Sequence, residues 1–180
     1  MVLSHDEIQF LINEGVIWHT LTGAVNATSL DIHLGKRILR EKRPDHDHRV
    51  VDYSAREPVT YEEIILGTDG WVMEPGDFIL ASSFEVFNLP LDISAEYKLK
   101  SSMARIGLEH MNAGWCDAGW HGSVLTLELK NMCNHHAVRI RPGDPIGQMV
   151  FYRHRPVAHN VSYASRGRYN GDKTVSGIKK

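Results

Sequence analysis

Residues Lys100 to Glu128 read KSSMARIGLEHMNAGWCDAGWHGSVLTLE and gather most of the residue types that can do polar chemistry in a dry site. The first six of them, Lys100 to Arg105, supply two cations and two hydroxyl groups. Lysine and arginine neutralise anions, and serine hydroxyls and the amides at a helix start donate hydrogen bonds to phosphate oxygens. The run therefore favours an anionic ligand; the alternative is a solvated turn that opens a short helix.

A strand is predicted after the turn at Gly119 to Gly122, over Ser123 to Asn131. Its residues alternate between a face with Val124, Thr126, Glu128 and Lys130 and a face with Leu125, Leu127 and Leu129. We expect the leucine face to pack on the core, so that Glu128 points into the space that borders the other face. A carboxylate there can take and give protons during catalysis. The alternative is a surface glutamate paired with lysine or arginine.

Outside this stretch, the chain consists of short apolar segments separated by turn sequences. Strands are predicted at Leu30 to Leu34, Val59 to Leu66, Phe78 to Ala81, Val86 to Asn88, Ser94 to Leu99, Glu109 to Trp115, Ala137 to Arg141 and Ile146 to Phe151. Short helices are predicted at Ser4 to Asn13, where Ser4 is the N-cap, and at about Ser101 to Ile106. The pattern predicts a mainly β fold, a jelly-roll-like distorted β-barrel with short helices.

The composition is that of one globular domain over residues 1–180, since the chain is 42% hydrophobic and 23% charged. A net charge of −2 gives no general attraction for nucleic acid or for an anionic membrane. No stretch approaches the roughly 20 apolar residues of a membrane span. We expect a cytoplasmic protein without nucleic-acid or membrane partners.

The cysteines and histidines do not predict a metal site. Zinc-dependent nucleobase deaminases hold their metal partly through a Pro-Cys-x-x-Cys sequence, which this chain lacks. Cys116 and Cys133 stand alone, and free thiols fit a reducing compartment. The run Asp45-His46-Asp47-His48 has metal-binding residue types, but it lies in a charged segment, Lys36 to Arg49, that is typical of a strand end and a surface loop. No catalytic metal is predicted.

The C-terminal residues, about 160–180, are polar, basic and punctuated by glycine. One interpretation is a frayed tail. The other is a flexible lid that orders over a polyphosphate, because Tyr163, Arg166, Arg168 and Lys173 can reach phosphate oxygens and the glycines allow closure.

Five segments in order resemble the deoxycytidine triphosphate (dCTP) deaminases, relatives of the trimeric deoxyuridine triphosphatases (dUTPases). They are ATSLDIHLG at Ala27 to Gly35, PGDFILASSFEVFNLP at Pro75 to Pro90, the run from Lys100 to Asn131, RPGDPIGQMVF at Arg141 to Phe151 and SRGRYNG at Ser165 to Gly171. The resemblance covers almost the whole chain and implies a dUTPase-like barrel. It also implies deamination of dCTP to dUTP and ammonia without a catalytic metal.

The resemblance assigns catalytic roles to four positions. Glu128 matches the acid/base glutamate, Arg105 and Ser101 match the groups beside the reacting water, and the carbonyl of Ala113 matches the acceptor that holds this water. The spacing of the hairpin before Glu128, which contains Ala113 and Asp117, differs from the family pattern.

Further positions match nucleotide contacts: Lys100, Ser102, Met103, Ala104, Gln148, Tyr163, Arg168 and Asp172 for the phosphates and their surroundings, Asp117 for the sugar, and the backbone of Thr126, Leu127 and Glu128 for the base. Asp172 stands where the family usually has a glutamine, so a preference for a monophosphate or a modified cytosine is an open alternative. The resemblance further implies Mg²⁺ carried by the triphosphate, dTTP as an inhibitor, and a homotrimer in which Ser101 to Arg105 and Glu128 come from different chains.

Two other functions stay open. One is hydrolysis of dUTP, alone or coupled to deamination so that dUMP is formed, because Asp117 could activate water for attack on a phosphate. The other is a nucleotide sensor without catalysis, which would have no need for Glu128, Arg105 and Ser101 together.

Overall fold

The computed structural model describes residues 1–42 and 50–179. Its elements follow the order α1 (His5–Asn13), β1 (Ile17–Trp18), β2 (Leu30–Glu41), β3 (Tyr61–Ile65), β4 (Trp71–Met73), β5 (Phe78–Asn88), β6 (Ile93–Leu99), α2 (Ser101–Arg105), β7 (Leu108–His110), β8 (Trp115–Cys116), β9 (His121–Asn131), β10 (Val138–Ile140), β11 (Pro145–Arg153) and α3 (Tyr163–Arg166), with a 3₁₀ turn at His159–Val161 before α3. The predicted metal-type run Asp45 to His48 lies outside the described residues.

One curled sheet dominates the fold, with strand order β7-β9-β5-β2-β11-β6-β8 and with β1 and β3 attached to β5 and β2. A second, two-stranded sheet pairs β10 with β4. The described strand pairs are antiparallel, and the core is filled from the inward faces of β2, β5, β9 and β11. The predicted mainly β, jelly-roll-like class is confirmed.

Strand β2 joins the two halves of this sheet. Its first residues pair with β11, whereas Arg37 to Glu41 pair with β3 and β5. The register shifts between Leu34 and Ile38, where Gly35 lies against the neighbouring strand. A Cβ atom on Gly35 would be 2.5 Å from Ser82 Oγ and 3.0 and 3.1 Å from the backbone oxygens of Ser82 and Ser83, so a side chain has no room at this bend.

The alternation predicted for β9 is confirmed. Leu127 and Leu129 are fully buried and Leu125 is nearly so, while Thr126 and Glu128 are partly exposed on the opposite face. The leucine side chains therefore pack β9 against the core, and the alternation of side chains along the strand places Glu128 on the opposite face of β9.

Several predicted strand bounds were wrong: β2 runs from Leu30 to Glu41 and not to Leu34, and β1 and β4 were not predicted. Phe78 to Ala81 and Val86 to Asn88 belong to one strand, β5, because the polar residues between them are satisfied inside the sheet: Ser83 Oγ donates to Glu85 O at 2.7 Å and accepts from Leu125 N at 2.8 Å. The predicted strand Glu109 to Trp115 is interrupted. Asn112 has φ 56°, a left-handed conformation that turns the chain from its pairing with β9 towards β6.

The helices agree with the predicted ones to within one residue at each end. Ser4 precedes α1 with its backbone N–H donating to Glu7 Oε2 at 3.0 Å, and Ile8 and Leu11 face the core. Within the described residues, every helix is too short or too polar to cross a membrane.

Candidate active site

A cavity with a volume of about 500 Å³ opens between β9 and the C-terminal segment. Its inner side is built by Val124, Leu125, Thr126 and Glu128 of β9 and by Phe78 and Leu80 of β5. Its flanks are formed by the chain from Ala113 to Cys116 and by the side chains of Tyr61 and Trp120. Its outer side is formed by Tyr163, Tyr169, Asp172, Ser176, Gly177 and Ile178. The inner side of the cavity is thus mainly apolar, with Thr126 and Glu128 as its polar groups, and aromatic side chains line much of the rest.

Glu128 lies beside a buried histidine that the sequence analysis did not single out. Oε2 of Glu128 is 3.4 Å from Nε2 of His110, and neither atom has a hydrogen-bond partner in the described residues. The His110 side chain is only 3% exposed, whereas that of Glu128 is 26% exposed. Because Oε2 is shielded, Oε1 is the carboxylate oxygen that a ligand in the cavity can reach.

Tyr97 closes the space behind His110, with the two rings 4.5 Å apart. Its hydroxyl is buried and lacks a hydrogen-bond partner among the described residues. Burial raises the pKa of Tyr97, and the charges of Glu128 and Glu85 raise it further. The hydroxyl of Tyr97 therefore stays protonated on the far side of His110 from Glu128.

Among the described residues, Thr126 has no backbone partner on the edge of β9 that faces the cavity. On this edge β7 pairs with residues from Leu129 onward, Met111 N donates to Glu128 O at 3.3 Å, and Val124 N donates to Asp172 O at 2.8 Å. Backbone groups of alternate residues point to the same edge, so the N–H and C=O of Thr126 lie in the gap between these contacts. The gap offers one donor and one acceptor to a planar ligand.

Two further side chains of the cavity have an altered proton affinity. Burial raises the pKa of Tyr61, and the charges of Glu41 and Glu128 add to this rise. Burial raises the pKa of the Cys116 thiol to about 12, so this cysteine stays protonated near neutral pH and is unsuited to be a nucleophile. Nothing local in the sequence marks Tyr61, because β3 is brought to the cavity only by tertiary folding.

The C-terminal segment docks on the start of β9. Trp120 Nε1 and Ser123 Oγ both donate to the carbonyl of Tyr169, at 3.3 and 2.9 Å. The amide of His121 donates to Asn170 Oδ1 at 3.0 Å. These contacts place Tyr163, Tyr169 and Asp172 over the cavity.

A second group of the predicted residues lies elsewhere on the subunit. Lys100 Nζ bonds to Asp31 Oδ2 at 2.6 Å, and Gln148 accepts from Ser29 Oγ at 3.1 Å; Asp31 and Gln148 are direct partners across β2 and β11. Helix α2 starts next to Lys100 and is largely exposed. In residues 1–42 and 50–179, Arg105 forms no ion pair.

The structure therefore divides the predicted site residues into two sets. Ala113, Thr126, Glu128, Tyr163 and Asp172 line the cavity, whereas Lys100, Ser101, Ser102, Met103, Ala104, Arg105, Asp117, Leu127, Gln148 and Arg168 do not. Asp117 lies at the rim, where it accepts a hydrogen bond from Trp115 Nε1 at 2.9 Å. The side chain of Leu127 belongs to the core. No cluster of three or more potential metal-binding side chains occurs in the described residues.

Comparison with known proteins gives a consistent similarity. A family model described as dCTP deaminase-like matches residues 2–154. A protein of Methanosphaerula palustris named "dCTP deaminase, dUMP-forming" is 37% identical over 155 residues, which are 86% of this chain and 81% of that protein. A protein of the same name from Methanoculleus marisnigri is 37% identical over 148 residues, 82% of this chain and 76% of that protein.

Among solved structures, the 2′-deoxycytidine 5′-triphosphate deaminase of Agrobacterium tumefaciens matches with a TM-score of 0.67 and 26% identity over 85% of this chain. The matched part is 48% of the Agrobacterium chain, so the present chain spans about half of that protein.

Proposed function

The chain belongs to the dCTP deaminase-like family, and we propose that it deaminates dCTP and hydrolyses the resulting dUTP to dUMP and pyrophosphate. The names of both relatives favour this coupled reaction over release of dUTP. The observation that carries the deamination step is the position of Glu128, which lies at the base of a cavity beside the open backbone edge of Thr126.

The cytosine base would bind against this edge. Cytosine presents acceptors at O2 and N3 and an amino donor at N4; the N–H of Thr126 would donate to O2, which leaves N3 free to take a proton, and the C=O of Thr126 would accept from N3–H once that proton has arrived. A base held there has its C4 atom next to Glu128. The aromatic side chains of the cavity then exclude bulk water around the base.

In the proposed deamination, Glu128 is the proton carrier. A water molecule attacks C4 while Glu128 accepts one of its protons and delivers it to N3. The tetrahedral intermediate then collapses: the proton of its C4 hydroxyl passes through Glu128 to N4, C4 becomes a carbonyl as the C4–N4 bond breaks, and ammonia leaves. The carbonyl of Ala113 would hold the attacking water, a role supported by its place in the cavity wall.

We propose that the complete site forms between two subunits of a homotrimer. Ser101 and Arg105 do not line the cavity that contains Glu128, and they are exposed on their own subunit. A neighbouring copy that inserts α2 into the cavity would bring Arg105 to the carboxylate and to the negative charge that develops on the base. Lys100, Ser102 and Gln148 would then contact the phosphates.

The second reaction would use the same bound nucleotide. Mg²⁺ would arrive coordinated by the triphosphate, which places the metal on the substrate and leaves the protein to orient it. Asp117, held at the rim by Trp115, is the candidate for activating water towards the α-phosphate. A cytoplasmic location and inhibition by dTTP belong to the same proposal.

Product analysis tests this function. Purified protein is incubated with dCTP, dCMP or dUTP and Mg²⁺, and ammonia and pyrophosphate are measured separately. The proposal predicts ammonia and pyrophosphate in equal amounts from dCTP. Ammonia without pyrophosphate would reduce the function to deamination alone, and pyrophosphate from dUTP without ammonia from dCTP would replace it by a dUTPase.

A further inference from the structure

The cavity carries negative charge on its own subunit. Its described lining residues include two carboxylates, Glu128 and Asp172, and no lysine, arginine or histidine. A nucleotide adds several negative charges, and anions close to one another in a partly dry site repel strongly. A cation near this cavity is therefore needed if its own subunit takes part in binding the phosphates.

Lys179 supplies a cation that is bonded to a cavity residue. Its Nζ forms an ion pair with Oδ1 of Asp172, whose second oxygen accepts a hydrogen bond from Ser176 Oγ at 2.8 Å. Among the described residues, no other lysine or arginine pairs with a carboxylate of the cavity. The Asp172 side chain is 13% exposed and that of Lys179 is 35% exposed, so the pair is partly shielded from solvent.

The ammonium group of Lys179 is positioned by more than this ion pair. Nζ also donates to the carbonyl of Arg168 at 3.3 Å and lies 5.3 Å from the centre of the Tyr169 ring, which itself lines the cavity. Arg56 Nη1 donates to the carbonyl of Lys179 at 3.3 Å and so fixes the backbone. The contacts to Tyr169 and to the two carbonyl groups do not depend on Asp172.

We propose that Lys179 is a phosphate-binding residue that determines the affinity for nucleotides, and that Asp172 is its counter-ion while the cavity is empty. The inference rests on the proposed function and extends it to a residue and a role outside the predicted site. A lysine side chain is long and flexible, so Nζ can turn from Asp172 to a phosphate oxygen and keep its contact with Tyr169. Asp172 then contributes to holding the cation and not to contacting the phosphates.

This assignment predicts opposite effects for the two members of the ion pair. Loss of the cation in Lys179→Met should weaken phosphate binding, whereas Asp172→Asn removes a repelling anion and should leave binding within about twofold of wild type or make it tighter. A purely structural pair would behave differently, because loss of either partner would disturb the closed segment to a similar degree.

Inorganic tripolyphosphate is the probe in a calorimetric titration, because it has no base and therefore reports on phosphate binding without deamination. We expect Lys179→Met to bind it about 10- to 100-fold more weakly, the range of one hydrogen bond to a charged group, and the KM for dCTP to rise in parallel. Lys179→Arg should stay close to wild type. Lys36→Met, which removes an exposed lysine of β2, is the matched control for charge and should bind like wild type.

The inference would be overturned if Lys179→Met bound tripolyphosphate as tightly as the wild type, or if Asp172→Asn weakened this binding as much as Lys179→Met. A wild-type protein that does not bind tripolyphosphate would also overturn it. Ammonia release from dCTP by the wild type reports on the proposed function separately. A protein that binds tripolyphosphate through Lys179 but releases no ammonia would keep the inference and refute the function.

Discussion

Glu128 Oε2 and His110 Nε2 face each other at 3.4 Å, each without another polar partner in the described residues. The pair is carried by two adjacent strands, since His110 of β7 lies opposite Leu129 of β9, next to Glu128. A neutral imidazole with its proton on Nε2 can donate to the carboxylate after a small movement. His110 then fixes which carboxylate oxygen faces the cavity.

His110 is accordingly predicted to position the proton carrier. His110→Phe keeps a flat ring but removes the donor, and we expect kcat for deamination to fall about 10- to 100-fold, because a displaced catalytic group reacts much more slowly. The KM for dCTP should change little. His110→Gln, which restores a donor at a similar reach, should recover part of the loss, and the exposed His136→Phe should behave as wild type.

Steady-state kinetics and circular dichroism of the variants check this prediction. A His110→Phe protein that is folded and has normal kcat would show that the contact between His110 and Glu128 has no role in catalysis. Equal losses in the Phe and Gln variants would indicate a packing role instead.

The proposed subunit boundary predicts complementation between two inactive variants. Arg105→Ala and Glu128→Gln should each abolish deamination alone, for different reasons. In mixed trimers formed by co-expression, some sites combine Arg105 from one chain with Glu128 from another, and random assembly makes these about a quarter of the sites. Ammonia release should therefore recover to about that fraction of the wild-type level.

Analytical ultracentrifugation provides the control, since the mixed protein should sediment as a trimer. Absence of any recovered activity in mixed trimers, or full activity in a wild-type monomer, would contradict a site shared between subunits.

A buried carboxylate that does not line the cavity should make stability depend on pH. Glu85 is fully buried, accepts hydrogen bonds from the backbone of His33 and lies 2.7 Å from its Nδ1. Burial raises the pKa of Glu85 above its ordinary value of 4.5, although the contacts with His33 oppose this rise. The folded state thus binds the proton more tightly than the unfolded state, and the resulting stability is present below pH 4.5 and is lost as the pH rises through the folded-state pKa.

Glu85→Gln should remove this dependence. Relative to the wild type, the free energy of unfolding of the variant should increase between pH 4.5 and 7, by an amount on the order of 1 kcal/mol. Urea unfolding at several pH values measures the difference, and Glu14→Gln at the surface is the control. Parallel pH curves for the wild type and Glu85→Gln would refute the raised pKa.

The fold was largely predictable from local patterns. The leucines of β9 alternate strictly, and Ser4 precedes an apolar stripe, so period and capping placed both elements close to their observed bounds. The strand prediction broke β5 at its buried polar residues, because hydrogen-bond partners of Ser83 and Glu85 lie on other strands and are not visible in the local sequence. Asn112 likewise gave no sign that the chain turns at that point.

The site was predictable only in part. Glu128 could be singled out because leucines flank it on its strand and because the family resemblance assigns the proton carrier to this position. The sequence could not single out His110, Tyr61 or Lys179. The contacts of His110 and Tyr61 are with residues distant in sequence, and Lys179 belongs to a segment that could equally have been a frayed tail. The separation of Arg105 from the cavity is likewise visible only in three dimensions.

Ammonia release by Glu128→Gln tests the central claim most directly. The substitution keeps the size and shape of the side chain and removes the proton carrier, so release from dCTP should fall by at least about 10²- to 10⁴-fold while dCTP still binds with an affinity close to that of the wild type. Unchanged ammonia release by a folded Glu128→Gln protein would contradict the account and direct the search for the general base to Asp117.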